Sequence, residues 1–180
     1  MSRLRFSLGR FKRADRGLAL IEFAYVAPIL LTLFVGSFQI SDAVFANRKV
    51  TTTARAIADL TSQYTSVDNP TLDSILNASR QIMHPYDLAR TEARVSQITI
   101  DNSGNAVVNW SRALNATPLA TGATTVIPST LRQKNTTVIL SQVAYHHVPS
   151  FASELIGPIT LKDQTIMFPR KITAIQKKYP

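Results

Sequence analysis

From Phe23 to Ile40 the chain carries no charged residue, and the first charge beyond that run is Asp42. Eighteen such residues measure roughly 27 Å as a helix, close to the hydrocarbon thickness of a bilayer. A segment like this must be buried in lipid or in protein. It opens on one acid, Glu22, in the stretch "RGLALIEFAYVAPILLTLFVGSFQISDAVF". A carboxylate at that position is expensive in hydrocarbon unless a partner offsets its charge.

Charge distribution decides which partner class the basic composition serves. The net charge is +9 and the pI near 10.3, values that alone would suit a nucleic-acid binder. Six of the 20 basic residues (Arg3, Arg5, Arg10, Lys12, Arg13, Arg16) precede Gly17, against one of the 11 acids, Asp15. The rest of the chain keeps 14 basic and 10 acidic side chains, a mild excess. Cations packed ahead of an apolar run follow the positive-inside pattern, so the reading is a membrane partner, N-terminus cytoplasmic, and no nucleic acid. Cysteine is absent, which removes disulfides, thiolate metal sites and a cysteine nucleophile.

Three readings of the N-terminal segment compete. A secretory signal peptide needs an h-region of about 7–15 residues and a small-x-small cleavage site; Val35-Gly36-Ser37 fits weakly, and the apolar run continues past it. A plain single-span anchor, uncleaved and bearing an external binding or adhesion domain, explains all but Gly17 and Glu22. The third reading uses both: basic leader, glycine, four apolar residues, then Glu22 and an aromatic.

That third pattern resembles the processing site of type IV pilin-like proteins. More of the chain, "RGLALIEFAYVAPILLTLFVGSFQISDAVFANRKVTTTARAIADLTSQY" with the later "IMHPY", "NWSRA", "VAYHHVPSF" and "FPRK" patches, resembles the TadE/TadG-like proteins of the tight-adherence (Flp-type) pilus, from Arg16 to about Lys171. The resemblance implies a non-enzymatic pilus component, a minor pilin or pseudopilin. It implies cleavage between Gly17 and Leu18 by a prepilin peptidase, and pairing of Glu22 with the new α-amino group on a neighbouring subunit. Pilin and pseudopilin subunits and the inner-membrane pilus platform would be its partners. The implied location is the bacterial inner membrane, single-pass, with a periplasmic C-terminal domain that enters the pilus or stays behind. The family includes processed pseudopilins and larger relatives that keep the leader, and length does not choose between them.

The expected fold class is α+β, a pilin-like lollipop. A long transmembrane helix would extend into a small external domain with a short helix and an antiparallel sheet. The expected parts are a basic leader (1–17), the transmembrane helix (18–41), its outer half (42–66) and the external domain (67–180). Pro28 should kink the spanning half by removing a donor and displacing the carbonyl of Ala24; Gly36 offers a close-packing point between helices. Val50, Ala54, Ile57 and Ala58 follow an amphipathic spacing, with Arg48, Lys49 and Arg55 off the stripe.

Asn69-Pro70 reads as a cap and helix start, with Leu72, Ile75, Leu76 and Met83 as the apolar side and Pro85 as the stop. Two strands flank the turn Asp101-Asn102-Ser103-Gly104, placing Ser96, Ile98 and Ile100 on one face and Val108 with Trp110 on one face. Residues 113–130 read as a loop ending in a helical turn at Pro128–Gln133. "NTTVILSQVAYHHV" is the strongest strand, and a final strand runs from Ile159 to Phe168.

No phosphate loop or nucleophile elbow is present, and no cofactor or metal is implied. His146 and His147 should point to opposite faces, one inward and one outward. His84 sits in another element, Glu92, Glu154 and Asp163 are scattered, and Asp68, Asp73 and Asp101 suit turns and caps.

Overall fold

The computed structural model describes residues 15–151 and 157–178. The leader residues 1–14, with their six-cation cluster except Arg16, and Glu154 lie outside the described residues. The chain divides into two compact units, residues 1–41 and 42–180. The fold is α+β: a long apolar N-terminal helix, then an antiparallel sheet domain with a short helix.

Helix α1 runs Asp15–Ser62 without a break, through Pro28. Within the first unit its large apolar side chains stand exposed all round, from Leu18 to Ile40. Thr32, Ser37 and Ser41 turn their hydroxyls back onto the carbonyls of Pro28, Leu33 and Ser37, so these hydroxyls are satisfied inside the helix.

The second unit begins with the rest of α1. Its expected stripe is real: Val50, Ala54, Ile57 and Ala58 have no exposure, and Ala46 joins them. Strand β1 (Ser66–Val67) leads to α2 (Asn69–Met83). The cap of α2 is Asp68, whose side chain accepts from the Thr71 backbone N–H at 2.8 Å, and not Asn69; Pro70 stands in the first turn, as expected. That bond holds the Asp68 carboxyl below its usual range. Leu72, Ile75, Leu76 and Met83 are buried, and the helix stops before the cis His84-Pro85 bond.

Strands β2 (Thr91–Ile100), β3 (Ala106–Leu114), β4 (Thr124–Thr125), β5 (Thr136–His147) and β6 (Ile159–Met167) form one antiparallel sheet ordered β4-β3-β2-β5-β6. The β2–β3 turn is tied by Asp101, which accepts from the Asn105 N–H at 2.8 Å, while Gly104 supplies a φ of +87°. A helical turn at Ser129–Leu131 sits where expected. Past β6, a short strand β7 (Gln176–Lys177) pairs in parallel with β1, so β6 is not the last strand.

One expectation fails at Asn109. Gln97 faces Trp110 but Ile98 faces Val108, so Asn109 is an extra residue in β3. This bulge breaks the period of two, and Val108 and Trp110 point to opposite faces. Trp110 joins Val95, Ile139 and Val143 against α1 and α2. Val108 joins Ile98, Ile100, Val138 and Leu140 on the other face. That second face is covered by the segment read as a loop, which contributes buried Ile127 and half-buried Leu119 and Leu131.

Candidate functional site

The five positions that the sequence offers for processing, assembly and helix packing (Gly17, Leu18, Glu22, Pro28 and Gly36) all stand on α1. Gly17 and Leu18 lie in its first turns, so the peptide bond between them is helical. Leu18 and Glu22 are four residues apart and therefore share one side of the helix, one turn apart. Glu22 is exposed, and among the described residues it has no hydrogen-bond or ion-pair partner. Leu18, Leu20, Ile21, Phe23 and Tyr25 around it are more than half exposed. A carboxylate is thus set alone in an apolar collar, open to whatever meets the helix.

Pro28 lies inside the helix, where it lacks the N–H that would reach the Ala24 carbonyl. At Gly36 a Cβ would meet no heavy atom within 4 Å, so the space beside it is open. The structure sets Leu18 and Glu22 one turn apart on one side; Pro28 and Gly36 lie further along the helix, more than a turn from either. Among the described residues α1 is the one helix long and apolar enough to cross a membrane, with a mean hydropathy of 2.2 over its most apolar window.

The second unit holds polar constellations that sequence reasoning missed. Asp42, the first charge after the apolar run, receives the Tyr86 hydroxyl at 3.0 Å on Oδ1 and 3.2 Å on its backbone carbonyl. Buried His147 places Nε2 3.7 Å from Asp42 Oδ2. Burial first, then the hydrogen bond and charge of Asp42, push the Tyr86 phenol up to about 12. Tyr145, stacked at a tilt 5.5 Å from Tyr86, is also raised, chiefly by burial.

The two adjacent histidines do face opposite ways. His147 is buried, while His146 is half-exposed beside Glu92 and Thr160, each at 3.2 Å. Asp73 is not a cap: its two carboxylate oxygens accept from Arg112 Nε and Nη2, both at 2.7 Å, which lowers its pKa and raises that of Arg112. Arg170 pairs with Asp59 at the end of α1. Only the position of Asp42 was legible locally; its partners are distant in sequence, Tyr86 in the turn after α2 and His147 at the end of β5.

A cleft of about 430 Å³ lies on the sheet face between β2, β5 and β6, lined by Glu92, Arg94, Gln142, Lys162 and Gln164. Arg94 donates to Gln142 at 3.3 Å, which leaves a hydrogen-bonded polar trough with no hydroxyl or thiol beside a base. Among the described residues no group of three or more histidine and carboxylate side chains could hold a metal ion.

The family model described as TadE-like protein matches residues 17–59. No curated protein and no solved structure matches the chain. The matched residues comprise the exposed apolar helix, Glu22 and the buried stripe through Ala58.

Proposed function

We propose, on the premise that this chain is TadE-like over residues 17–59, that it is a minor pilin or pseudopilin of a tight-adherence (Flp-type) pilus. The family is one of structural pilus-assembly proteins, and the helix suits a single-pass membrane anchor. In this reading α1 holds the chain in the bacterial inner membrane with the basic leader cytoplasmic and the sheet domain periplasmic. A prepilin peptidase cuts after Gly17, and Leu18 acquires a free α-amino group. The chain then packs helix to helix with pilin subunits or the assembly platform, with Gly36 as a point of close approach.

The observation that carries this reading is Glu22, exposed and unpartnered among the described residues, one helical turn from the amine that cleavage would create. Removing one partner of a desolvated ion pair costs about 3–5 kcal/mol, enough to hold neighbouring helices in one register.

N-terminal sequencing of the native protein tests the cut: the mature chain should begin at Leu18, and one beginning at Met1 or Ser2 rejects processing. Glu22→Ala should leave the chain in the membrane and sharply reduce pilus output. Normal piliation by that variant would remove the pairing role.

A further inference from the structure

Asp42, the first residue of the second unit, follows Ser41 of the apolar helix by one peptide bond. Chain connectivity therefore keeps the surface around Asp42 within a few ångströms of wherever the apolar run ends. That surface can be mapped. His147 lies 3.7 Å from Asp42 and pairs in register with Ile159, so the end of β5 and the start of β6 sit together beside Asp42.

Large exposed apolar side chains of the second unit flank this contact along the chain: Val44 and Phe45 follow Asp42, Val148 and Phe151 follow His147, and Ile159 pairs with His147. Val44, Phe45, Val148, Phe151 and Ile159 are five of the nine such residues described, and Phe45 and Phe151 are 57% and 55% exposed. One to two turns beyond Asp42, Phe45, Arg48 and Lys49 border a cleft of about 440 Å³ closed by Pro85 and Tyr86. Aromatic rings with long cations beside an apolar span match the demands of the bilayer interface. Rings settle among the headgroups there, and Arg and Lys reach phosphates while their stems stay in apolar surroundings. Water alone leaves such a patch uncompensated.

We propose that this end of the domain docks on an anionic lipid surface: Phe45, Val148, Phe151 and Ile159 enter the headgroup layer, and Arg48 and Lys49 engage lipid phosphates. The inference rests on α1 spanning the membrane, and goes beyond it by giving the external domain a lipid-facing side.

The chain has no cysteine, so single labels can be placed at will. Ser150→Cys, an exposed position in the β5–β6 connection, and Val126→Cys, beside β4, would each carry an environment-sensitive fluorophore. The full chain would be reconstituted into vesicles of phosphatidylglycerol and phosphatidylcholine. The label at 150 should show blue-shifted emission quenched by a lipid-borne nitroxide, and the label at 126 neither.

Water-like emission at 150 from protein that resists carbonate extraction overturns the docking and leaves the span intact. Protein extracted by carbonate overturns both. Equal shielding at 150 in detergent, lost on dilution to monomer, assigns the patch to a protein partner and overturns the lipid reading. Arg48→Gln with Lys49→Gln should abolish the difference between phosphatidylglycerol-containing and pure phosphatidylcholine vesicles. An unchanged difference overturns the role of the two cations.

Discussion

Leu18, Phe23, Phe34 and Ile40 stand more than half exposed on α1, while Ala46, Val50, Ala54 and Ile57, further along the same helix, have no exposure at all. The earlier stretch is apolar on every side; the later one is apolar on a single stripe with Arg48, Thr52 and Arg55 turned outward. The difference lies in what surrounds each stretch. A helix dissolved in lipid gains from every apolar side chain it owns, whereas one packed on a sheet gains only from the face it buries. The first stretch of α1 thus suits a lipid surround and the second a protein one.

This contrast can be broken by exchange of substitutions. Ile57→Ala, which empties a fully buried site, should lower the stability of the sheet domain by about 3 kcal/mol. Denaturant unfolding in detergent, followed by the single, buried Trp110, measures it. Leu31→Ala should leave that transition in place; an equal loss from both would erase the distinction.

Conversely, Leu31→Lys should disfavour membrane insertion by about 3 kcal/mol, while Arg55→Ala should not change it. An insertion assay in microsomes reads both.

Tyr86→Phe probes the junction at Asp42, and about 1 kcal/mol should be lost at neutral pH with its two hydrogen bonds. Because the folded state raises the Tyr86 pKa from 10.0 to about 12, its contribution is complete below pH 10 and lost as pH climbs through 12. The variant should flatten stability across that window.

Asp73→Asn should have the smallest effect, about 1 kcal/mol or less, since the pair with Arg112 is part-exposed. Arg112 lowers the Asp73 pKa, so its contribution is present above pH 3.8 and fades as pH falls through the lower folded value. A melt series below pH 4 should be shallower in the variant.

Features written in local periodicity were legible in the sequence. The stripe of Val50, Ala54, Ile57 and Ala58 repeats with the helix, and β5 is a β-branched run with no breaker. What escaped depends on residues meeting from afar. The Asn109 bulge has no glycine or proline to signal it, yet it moves Trp110 to the face opposite Val108. Asp73 looks like a turn residue until Arg112 of β3 reaches it, and two-residue strands such as β1 and β7 carry no periodic signal. At the candidate site, Gly17 and Glu22 were legible only as a spacing of five residues, and in the helix it is Leu18 that stands one turn from Glu22. The amine and the neighbouring subunit that would give the spacing meaning lie outside a single chain.

The parallel pairing of β7 with β1 has a consequence for biosynthesis. Gln176 donates to the Thr65 carbonyl and Lys178 to that of Val67, while the Ile175 N–H reaches buried Gln97 at 2.8 Å and the Ile175 carbonyl meets Trp110 Nε1. Until residues 175–178 have been made, β1 has no strand partner and the indole of Trp110 lacks its acceptor. A nascent chain stalled before Ile175 therefore presents an unlatched sheet.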